Sequence, residues 1–560
     1  MDHTMKVREL TYQNRKGRIA MMSTPLNLYG IFDYSQKMWP EKWIITRTRE
    51  GTHRYQYREF GSRVKKLSSA LKSLGVKPQD RVATVAWNNF RHLEAYYAIP
   101  LMGAVLHTVN LRLSSDHLLY IINHAQDQVL LIDEELLPIL EPIQDKLPTV
   151  QHLIVMGEHP DLSKTPMAVW AYEDLLADAV PMNYDPDLPE NTPLGMCYTS
   201  ATTGNPKGVV YSHRGIVLHA MAMGLANTSA ISEQDRVLPV VPMFHANAWG
   251  LPFSSIWFGA DIVLPGPAPT SEDLVRLMSQ EQVSVAAGVP TVWFGVAKVL
   301  EEHPTPLSLR MVLCGGSAAP PALIQTFEKT FHIPFAHAYG MTETSPLATF
   351  SRLKSTLADL GEDDQLAIRS TQGLLVPGLF MRLTSNNREV PWDAHSMGEL
   401  WLKGPWVADE YYHDARTPDS FENGWLKTGD VATISPEGYV RLVDRTKDLV
   451  KSGGEWISSV DLENAIMAHP DVFEAAVIGV PHPKWDERPL AFVVAKDNRK
   501  LHKADILALL AENFPKWWLP DDVIFLREIP KSSVGKFLKR ALREQYHHYL
   551  SESSQEPADG

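Results

Sequence analysis

Short apolar runs, separated by segments with helical periodicity, recur along the chain. Each run spans a few residues; the runs are 81–87, 128–132, 152–156, 194–198, 283–289 and 310–314. Strands buried on both faces read as unbroken apolar runs, and strands that alternate with helices form parallel sheets covered by those helices. The pattern therefore predicts an α/β fold with layered, mainly parallel sheets. One intervening segment, 113–125, is predicted to form a helix capped by Ser115.

The character of the chain changes after Asp444, where residues 445–454 are rich in charge and glycine. The elements predicted beyond this point are a helix from Ser458 and Ser459 to near His469, strands at 474–480 and 490–495, and a basic helix at 536–549. These features predict a small α+β domain after a large α/β domain. The expected division is a large N-terminal domain at 1–444, a hinge at 445–450, a small C-terminal domain at 451–550 and a polar tail at 551–560.

Composition narrows the class of protein. The 560-residue chain carries a formal net charge of −13, which gives no general attraction to nucleic acid or to an anionic membrane. A polyanionic ligand must therefore be held by local basic groups. The two cysteines, Cys197 and Cys314, lie in apolar runs without Cys or His at metal-ligand spacing, so we predict two reduced core residues.

Neither secretion nor a membrane span is predicted. The N-terminal residues lack a long apolar stretch followed by a small-residue cleavage site, so a cytoplasmic enzyme is expected. The most apolar segment, 283–300, is interrupted by Ser284, Gly288, Pro290 and Lys298. We interpret it as a buried strand that turns into a helix.

A polar loop at 199–208, T-S-A-T-T-G-N-P-K-G, directly follows the apolar run 194–198. Hydroxyl and backbone N–H groups donate to phosphate oxygens, glycine lets the backbone approach a ligand, and Lys207 supplies positive charge. No Ser or Thr follows the lysine, so the loop differs from the common G-x-x-x-x-G-K-[ST] loop. The loop predicts a nucleoside triphosphate site outside the P-loop class; a polar turn without ligand is the alternative.

Further motifs follow this loop in a definite order. They are V-P-M-F-H-A-N-A-W-G at 241–250, C-G-G-S-A-A-P at 314–320, Y-G-M-T-E-T at 339–344, G-W-L-K-T-G-D at 424–430, D-R-T-K-D-L-V-K-S-G-G-E-W-I-S at 444–458 and P-K-S-S-V-G-K at 530–536. In content and order they resemble the signature motifs of the adenylate-forming (AMP-binding) superfamily. They are most similar to its branch of medium- and long-chain fatty-acyl-CoA synthetases, which also contains ligases for 3-methylmercaptopropionate.

The resemblance implies a two-step reaction that uses ATP, Mg²⁺ and CoA. A carboxylate attacks the α-phosphate of ATP and releases pyrophosphate, and the CoA thiol then attacks the acyl-adenylate. A medium- or long-chain fatty acid is the expected substrate, and a short thioether acid is an alternative. Transfer to an acceptor other than CoA, or a non-catalytic nucleotide- or acyl-binding regulator, are further alternatives. The fatty-acyl branch also suggests a homodimer.

The resemblance assigns most of the motif residues to the nucleotide. Thr342 would contact the α-phosphate, and Glu343 would hold Mg²⁺, a hard cation that prefers oxygen ligands. Asp430 and Arg445 would contact the ribose. The remaining positions implied to contact ATP are Thr199, Ser200, Thr202, Thr203, Gly204, Lys207, Gly315, Gly316, Ser317, Tyr339, Gly340 and Lys447. Read alone, Glu343 would be a solvated loop carboxylate and Tyr339 a core residue. Ala201 stands where the family commonly has glycine.

The acyl site is implied to involve His245, Trp249 and Gly316. In the fatty-acyl branch the His245 and Trp249 positions carry an aromatic gate to the acyl tunnel, and His245 is also expected to act in catalysis. A lone histidine in an apolar run is otherwise a structural residue, and a tryptophan four positions later is usually core.

The C-terminal domain is implied to carry the catalytic Lys536, which neutralises the substrate carboxylate and the α-phosphate. Because pyrophosphate must leave before CoA attacks, the resemblance implies that this domain rotates about Lys447 between the two steps. Glu455 and Trp456 are expected in the second-step site, with a domain-interface role as the alternative. Basic residues proposed for the CoA phosphates are Lys451, Lys484 and Arg488.

Overall fold

The computed structural model describes residues 22–162, 168–199, 205–385, 388–445, 448–452, 455–496, 499–531 and 537–550. The strands of these residues form three sheets. In chain order the strands are β1 (Trp43–Arg47), β2 (Thr52–Gln56), β3 (Arg81–Val85), β4 (Val105–Thr108), β5 (Asp127–Asp133), β6 (His152–Met156), β7 (Ala168–Ala171), β8 (Pro193–Tyr198), β9 (Gly208–Ser212), β10 (Arg236–Pro239), β11 (Asp261–Leu264), β12 (Val285–Gly288), β13 (Met311–Cys314), β14 (Phe335–Gly340), β15 (Leu347–Phe350), β16 (Gly373–Leu375), β17 (Phe380–Ser385), β18 (Arg388–Glu389), β19 (Gly398–Lys403), β20 (Phe421–Glu422), β21 (Trp425–Ile434), β22 (Tyr439–Arg445), β23 (Val450–Ser452), β24 (Glu455–Ile457), β25 (Val472–His482), β26 (Asp486–Ala495) and β27 (Asp522–Phe525).

Helices cover the faces of these sheets. They are Leu28–Met38, Tyr57–Ser73, Phe90–Leu101, Ser115–Ala125, Leu137–Leu140, Tyr172–Asp178, His213–Met223, Leu251–Phe258, Ser271–Gln280, Pro290–Glu302, Pro321–Gln325, Glu362–Arg369, Thr417–Ser420, Ser459–Met467, Lys503–Asn513 and Lys539–Tyr546.

One large sheet has the strand order β7-β6-β5-β3-β4-β8-β9 and is parallel except at the β8–β9 pair. Four predicted runs form its strands β3, β5, β6 and β8, so the parallel α/β prediction is confirmed here. β8 and β9 are antiparallel neighbours, and the segment between them is the polar loop. The sheet therefore presents both ends of that loop at one edge.

The second large sheet changes character along its width. From β1 through β11, β10, β12 and β13 to β14 the neighbouring strands are parallel, and beyond β14 they are antiparallel. The predicted runs 283–289 and 310–314 form β12 and β13, again as expected. Cys197 and Cys314 are buried free cysteines in β8 and β13, which confirms their predicted place in the core.

The helix Tyr57–Ser73 shows how apolar spacing builds the shared core. Phe60, Val64, Leu67 and Leu71 recur every three or four residues, so they share one face of the helix, and all four are fully buried. They belong to one core cluster with residues from both large sheets. Each such burial contributes roughly 1.5–3 kcal/mol, and the covered stripe holds the two sheets together.

The predicted helix 113–125 exists, but its cap differs from the prediction by one residue. The helix is Ser115–Ala125, and the side chain of Ser114 accepts a hydrogen bond from His117 N–H. Ser114 and Ser115 are chemically equivalent caps. Burial of Leu118, Ile121 and Ile122 fixes which side of the helix faces the core. Ser114 is then the residue that caps a free backbone N–H of the first turn.

The third sheet lies in the C-terminal part, with the order β24-β23-β26-β25 and β27 beside β26. Its predicted strands and its helix Ser459–Met467 are present, capped by Ser458. This helix contacts the end of β22: Asp444 Oδ2 accepts from Ser459 N–H at 2.9 Å, and Ser458 Oγ donates to Val443 O at 2.7 Å. The last described helix is Lys539–Tyr546, shorter than the predicted 536–549.

Candidate active site

A cavity of about 400 Å³ opens beyond the carboxyl ends of β13 and β14. Ligands of α/β proteins commonly bind at this edge of a parallel sheet. The predicted site residues among those lining the cavity are Thr199, Lys207, His245, Trp249, Gly315, Gly316, Tyr339, Gly340, Thr342, Glu343 and Arg445. Motifs that are far apart in the sequence therefore meet in one place.

The two ends of the polar loop are joined by hydrogen bonds. Thr199 N–H donates to Lys207 O at 2.9 Å, and Lys207 N–H donates to Thr199 Oγ1 at 3.2 Å. Ser200, Thr202, Thr203 and Gly204 lie outside the described residues, so their phosphate contacts stay predictions.

Glu343 and Lys207 line the cavity and both contact Tyr411, a residue that the sequence interpretation missed. Tyr411 Oη donates to Glu343 Oε1 at 2.7 Å, and Lys207 Nζ lies 4.2 Å from the centroid of the Tyr411 ring. Burial lowers the pKa of Lys207, and the nearby Glu343 acts in the opposite direction. No sequence signal marks Tyr411 beyond its being one of two adjacent tyrosines in a polar segment.

The Thr342–Glu343 turn is held by backbone contacts from two other elements. Tyr211 Oη donates to Thr342 O at 2.9 Å, and Ala408 N–H donates to Glu343 O at 2.8 Å. Both turn residues are buried, so Glu343 is not a solvated loop carboxylate. A buried carboxylate at a cavity wall is a chemically demanding arrangement, because its charge needs partners.

A second polar group consists of Tyr339 and Arg445, which line the cavity, and the buried Asp430, which contacts both but is not among the lining residues. Tyr339 Oη donates to Asp430 Oδ2 at 2.6 Å, and Arg445 Nε lies 3.2 Å from Asp430 Oδ1. Asp430 and Arg445 are paired across β21 and β22, so the sheet register sets their separation. The Asp430 carboxylate raises the pKa of the Arg445 guanidinium.

Two predicted glycines are required by contacts within the protein. A β-carbon on Gly340 would lie 1.7 Å from Pro346 O, and one on Gly315 would lie 2.8 Å from Ala338 O and 3.2 Å from the Trp249 ring. Gly316 has a φ of +83°, a conformation that favours glycine. Ser317, in contrast, is exposed and does not line the cavity.

Trp249 projects from a left-handed turn. Ala246, Asn247, Ala248 and Trp249 have φ values of 43°, 55°, 45° and 58°, and Gly250 follows at 75°. Non-glycine residues pay roughly 1–2 kcal/mol each for this conformation. The surrounding core must therefore stabilise it, and it directs both Trp249 and His245 to the cavity. Nothing in the sequence marks Ala246, Ala248 or Trp249 for such a turn.

Apolar side chains complete the cavity wall. The sequence interpretation missed all of them; they are Met223, Leu313, Leu347 and Phe350. They come from one helix and two strands, because Leu347 and Phe350 both belong to β15, and each fits an ordinary core pattern. The cavity therefore combines charged and hydroxyl groups with apolar surface.

The C-terminal predictions are only partly covered by the structure. Lys447 and Lys536 lie outside the described residues, and the backbone at Glu455 and Trp456 belongs to β24. Arg488 is not free to contact CoA phosphates: it is buried, with hydrogen bonds to Asp521 at 2.8 Å, Ser452 Oγ at 3.0 Å and Leu519 O at 2.9 Å. That prediction was wrong because its donors stabilise the domain itself.

No helix among the described residues is long and apolar enough to cross a membrane. The interrupted segment 283–300 instead forms β12 and the helix Pro290–Glu302, as expected.

Comparisons with known proteins agree with this architecture. Residues 32–412 match the AMP-binding enzyme family, and residues 461–536 match the AMP-binding enzyme C-terminal domain. An anthranilate-CoA ligase structure in complex with anthranoyl-AMP has a TM-score of 0.85 at 24% identity, covering 95% of this chain and 99% of that chain. The likeness shows the fold, a large N-terminal α/β domain with a separate small C-terminal domain.

Curated relatives are similar over nearly the whole chain. The chain is 48% identical to a long-chain-fatty-acid–CoA ligase of Thermus thermophilus, over 95% of this chain and 97% of the relative. It is 43% identical to a medium-chain-fatty-acid–CoA ligase of Ectopseudomonas oleovorans (89% and 92% covered) and 41% identical to a 3-methylmercaptopropionyl-CoA ligase of Ruegeria lacuscaerulensis (95% and 99% covered). The chain therefore belongs to the AMP-binding enzyme family, in its group of AMP-forming acyl-CoA synthetases.

Proposed function

We propose that this protein is an ATP-dependent acid:CoA ligase that converts a medium- or long-chain fatty acid to its acyl-CoA, with release of pyrophosphate and AMP. One observation carries the proposal. A single cavity is lined by Lys207 and Glu343, by Tyr339 and Arg445, which both contact Asp430, and by the apolar side chains Met223, Leu313, Leu347 and Phe350. A triphosphate, a nucleoside and an acyl chain thus each have a chemically matched surface.

In the first step, a carboxylate oxygen of the acid forms a bond to the α-phosphorus of ATP. The bond from that phosphorus to the bridging oxygen breaks, and pyrophosphate leaves with the electron pair. Lys207 and the polar loop hold the β- and γ-phosphates, Thr342 contacts the α-phosphate, and Lys536 neutralises charge at the reacting atoms. Catalysis of this kind depends on positioning and charge stabilisation.

The residues present suit Mg²⁺ delivered together with ATP. The described residues contain no cluster of three or more His, Cys, Asp or Glu that could hold a metal ion by themselves. They do place the buried Glu343 carboxylate at the cavity wall, with one oxygen bonded to Tyr411. Mg²⁺ commonly binds through one or two carboxylates plus phosphate oxygens and water, so Glu343 would hold it. The ion would supply charge neutralisation on the phosphates.

In the second step, the CoA thiolate attacks the acyl carbonyl and AMP leaves. We propose that the domain after the 445–450 hinge rotates about Lys447 for this step and that Glu455 and Trp456 then contribute to the thioester-forming site. Division into 1–444 and 451–550 is part of this proposal. A homodimer, suggested by the fatty-acyl branch, remains a proposal as well.

The test is product analysis with ATP and a panel of acids from butyrate to stearate, together with 3-methylmercaptopropionate. We expect AMP and acyl-CoA, with the highest kcat/KM on a medium or long chain. Highest kcat/KM on the thioether acid would favour the second candidate, which the 41% identical relative supports. Acyl-AMP that accumulates unchanged when CoA is added would favour another acceptor. Absence of acid-dependent pyrophosphate release would contradict the proposal.

A further inference from the structure

Tyr411 contacts both the cation and the anion of the proposed triphosphate site. Its ring faces Lys207 Nζ at 4.2 Å, and its hydroxyl donates to Glu343 Oε1 at 2.7 Å. In the part of the chain that the structure describes, no ion pair joins Lys207 to Glu343, although both line the same cavity. One side chain thus contacts both charged groups.

This separation has a chemical consequence. Opposite charges inside a cavity attract more strongly than they do in water, because less solvent screens them. A direct Lys207–Glu343 ion pair would commit the ammonium and the carboxylate to each other. A ring face provides a weaker, easily exchanged site for the ammonium. A single hydrogen bond leaves the second carboxylate oxygen of Glu343 available to another ligand.

Tyr411 is itself held firmly. It is 4% exposed, its N–H donates to Thr417 Oγ1 at 3.1 Å, and its ring meets the edge of Phe421 with centroids 5.1 Å apart. Burial raises the pKa of its hydroxyl, and the charge of Glu343 raises it further. The hydroxyl therefore stays protonated at neutral pH and can donate. Lys207 Nζ also donates to Ser420 Oγ at 3.5 Å.

We propose that Tyr411 is a positioning residue that keeps Lys207 and Glu343 apart, so that the ammonium remains available to phosphate and the free carboxylate oxygen to Mg²⁺. This inference rests on the proposed function of the site. The ring and the hydroxyl have separable tasks: the ring holds the lysine, and the hydroxyl orients the carboxylate.

The experiment compares Tyr411→Phe, Tyr411→Leu and the matched control Tyr412→Phe. The neighbouring Tyr412 packs its ring against His124 with centroids 5.6 Å apart, and its N–H donates to Gly208 O, a bond that the control preserves. Calorimetry measures the affinity for a non-hydrolysable ATP analogue with and without Mg²⁺, a readout that needs no turnover. The KM for ATP and the Mg²⁺ dependence of AMP formation are measured in parallel.

For Tyr411→Phe we expect the Mg²⁺-dependent gain in analogue affinity to fall about tenfold, the size of one hydrogen bond to a charged group, while affinity without Mg²⁺ is unchanged. For Tyr411→Leu we expect both to fall, because the lysine loses its ring as well. Tyr412→Phe should match the wild type in both measurements.

Three outcomes would overturn the inference. They are a wild-type Mg²⁺ gain in Tyr411→Phe, an equal loss of affinity with and without Mg²⁺ in that variant, and the same loss in Tyr412→Phe. Failure of the proposed function has a different signature, because the wild type would then bind the analogue without forming AMP from any acid. The analogue affinities of the variants would still decide the role of Tyr411.

Discussion

Tyr339 donates a hydrogen bond of 2.6 Å to Asp430, and this bond joins the end of β14 to β21. The other carboxylate oxygen of Asp430 faces Arg445 at 3.2 Å. Each carboxylate oxygen has two lone pairs, so Asp430 retains acceptor capacity for ribose hydroxyls. The phenol therefore orients a carboxylate, a task separate from the nucleotide contact proposed for its ring.

Replacing Tyr339 with Phe separates these two tasks. The ring is kept and the donor to Asp430 is lost, so we expect the KM for ATP to rise by about five- to tenfold with little change in kcat. Steady-state kinetics with ATP as the varied substrate measures this. An unchanged KM for ATP would show that the hydrogen bond does not contribute to nucleotide binding.

Substituting Gly315 with Ala tests the packing of Trp249. The added methyl would lie 2.8 Å from Ala338 O and 3.2 Å from the Trp249 ring, so the ring or the strand end must shift. Overpacking of this kind costs about 1–3 kcal/mol, and we expect a lower melting temperature and a higher KM for the acid. Wild-type stability together with wild-type acid kinetics would mean that the ring adjusts without cost.

His219 predicts a pH dependence of stability. It is buried, its Nε2 accepts from Leu347 N–H at 3.2 Å, and burial lowers its pKa to about 3. In the unfolded chain His219 becomes protonated below about pH 6.5, whereas in the folded protein it stays neutral until about pH 3. The stability that depends on the neutral imidazole is therefore complete above pH 6.5 and is lost as the pH falls toward 3. Its loss between pH 7 and pH 5 should be about 2 kcal/mol.

The measurement is urea unfolding of the wild type and of His219→Gln at pH 7 and pH 5. The variant retains an acceptor but has no titrating imidazole, so the difference in unfolding free energy between the two pH values should shrink by about the amount above. His213 and His92, whose pKa values burial lowers to about 4, remain in the variant and provide the background acid sensitivity. An identical pH dependence in both proteins would contradict the prediction.

Lys539 should be essential to the stability of the C-terminal part. Its Nζ lies 2.7 Å from Glu463 Oε1 and 2.5 Å from Ser459 Oγ. The side chains of Lys539 and Glu463 are both largely buried. Burial raises the pKa of Glu463 to about 7 even with the lysine present. Removing the cation by Lys539→Met leaves a buried carboxyl without its partner and should cost about 3–5 kcal/mol.

Limited proteolysis and urea unfolding measure this loss. The double variant Lys539→Met, Glu463→Gln is the control, because it removes both charges and should recover much of the stability. If the double variant were as unstable as the single one, lost packing of the lysine side chain would be the cause, contrary to the charge argument.

Lys536→Ala tests the proposed division of labour between the two steps. We expect acid-dependent pyrophosphate release to fall by about two to three orders of magnitude, the usual effect of removing a preorganised charge donor, while thioester formation from supplied acyl-AMP is spared. Each half-reaction is assayed separately. Equal loss of both half-reactions would contradict the role assigned to this lysine.

The sequence alone was sufficient for the most apolar strands and for the order of the site motifs, but not for the antiparallel strands of the second large sheet. Runs such as 152–156 and 310–314 are continuous apolar segments between polar turns, and burial of such segments on both faces leaves a parallel strand as the favourable solution. The motifs that contain Glu343 and Asp430 were recognisable because their residue types and order follow a known pattern. Family membership, confirmed by the matches at 32–412 and 461–536, follows from the same motifs.

Tertiary structure alone determined how those residues act on one another. Tyr411 meets Glu343 and Lys207 only because the 404–412 segment folds over the cavity, and no local pattern encodes a contact between residues that distant in the chain. The sequence could not show that the guanidinium of Arg488 donates to Asp521, Ser452 and Leu519 instead of facing a phosphate ligand. The left-handed turn before Gly250 is likewise imposed by its surroundings, since its own residues disfavour it. Local propensity and burial are properties of short segments, whereas partner choice depends on which segments the completed core brings together.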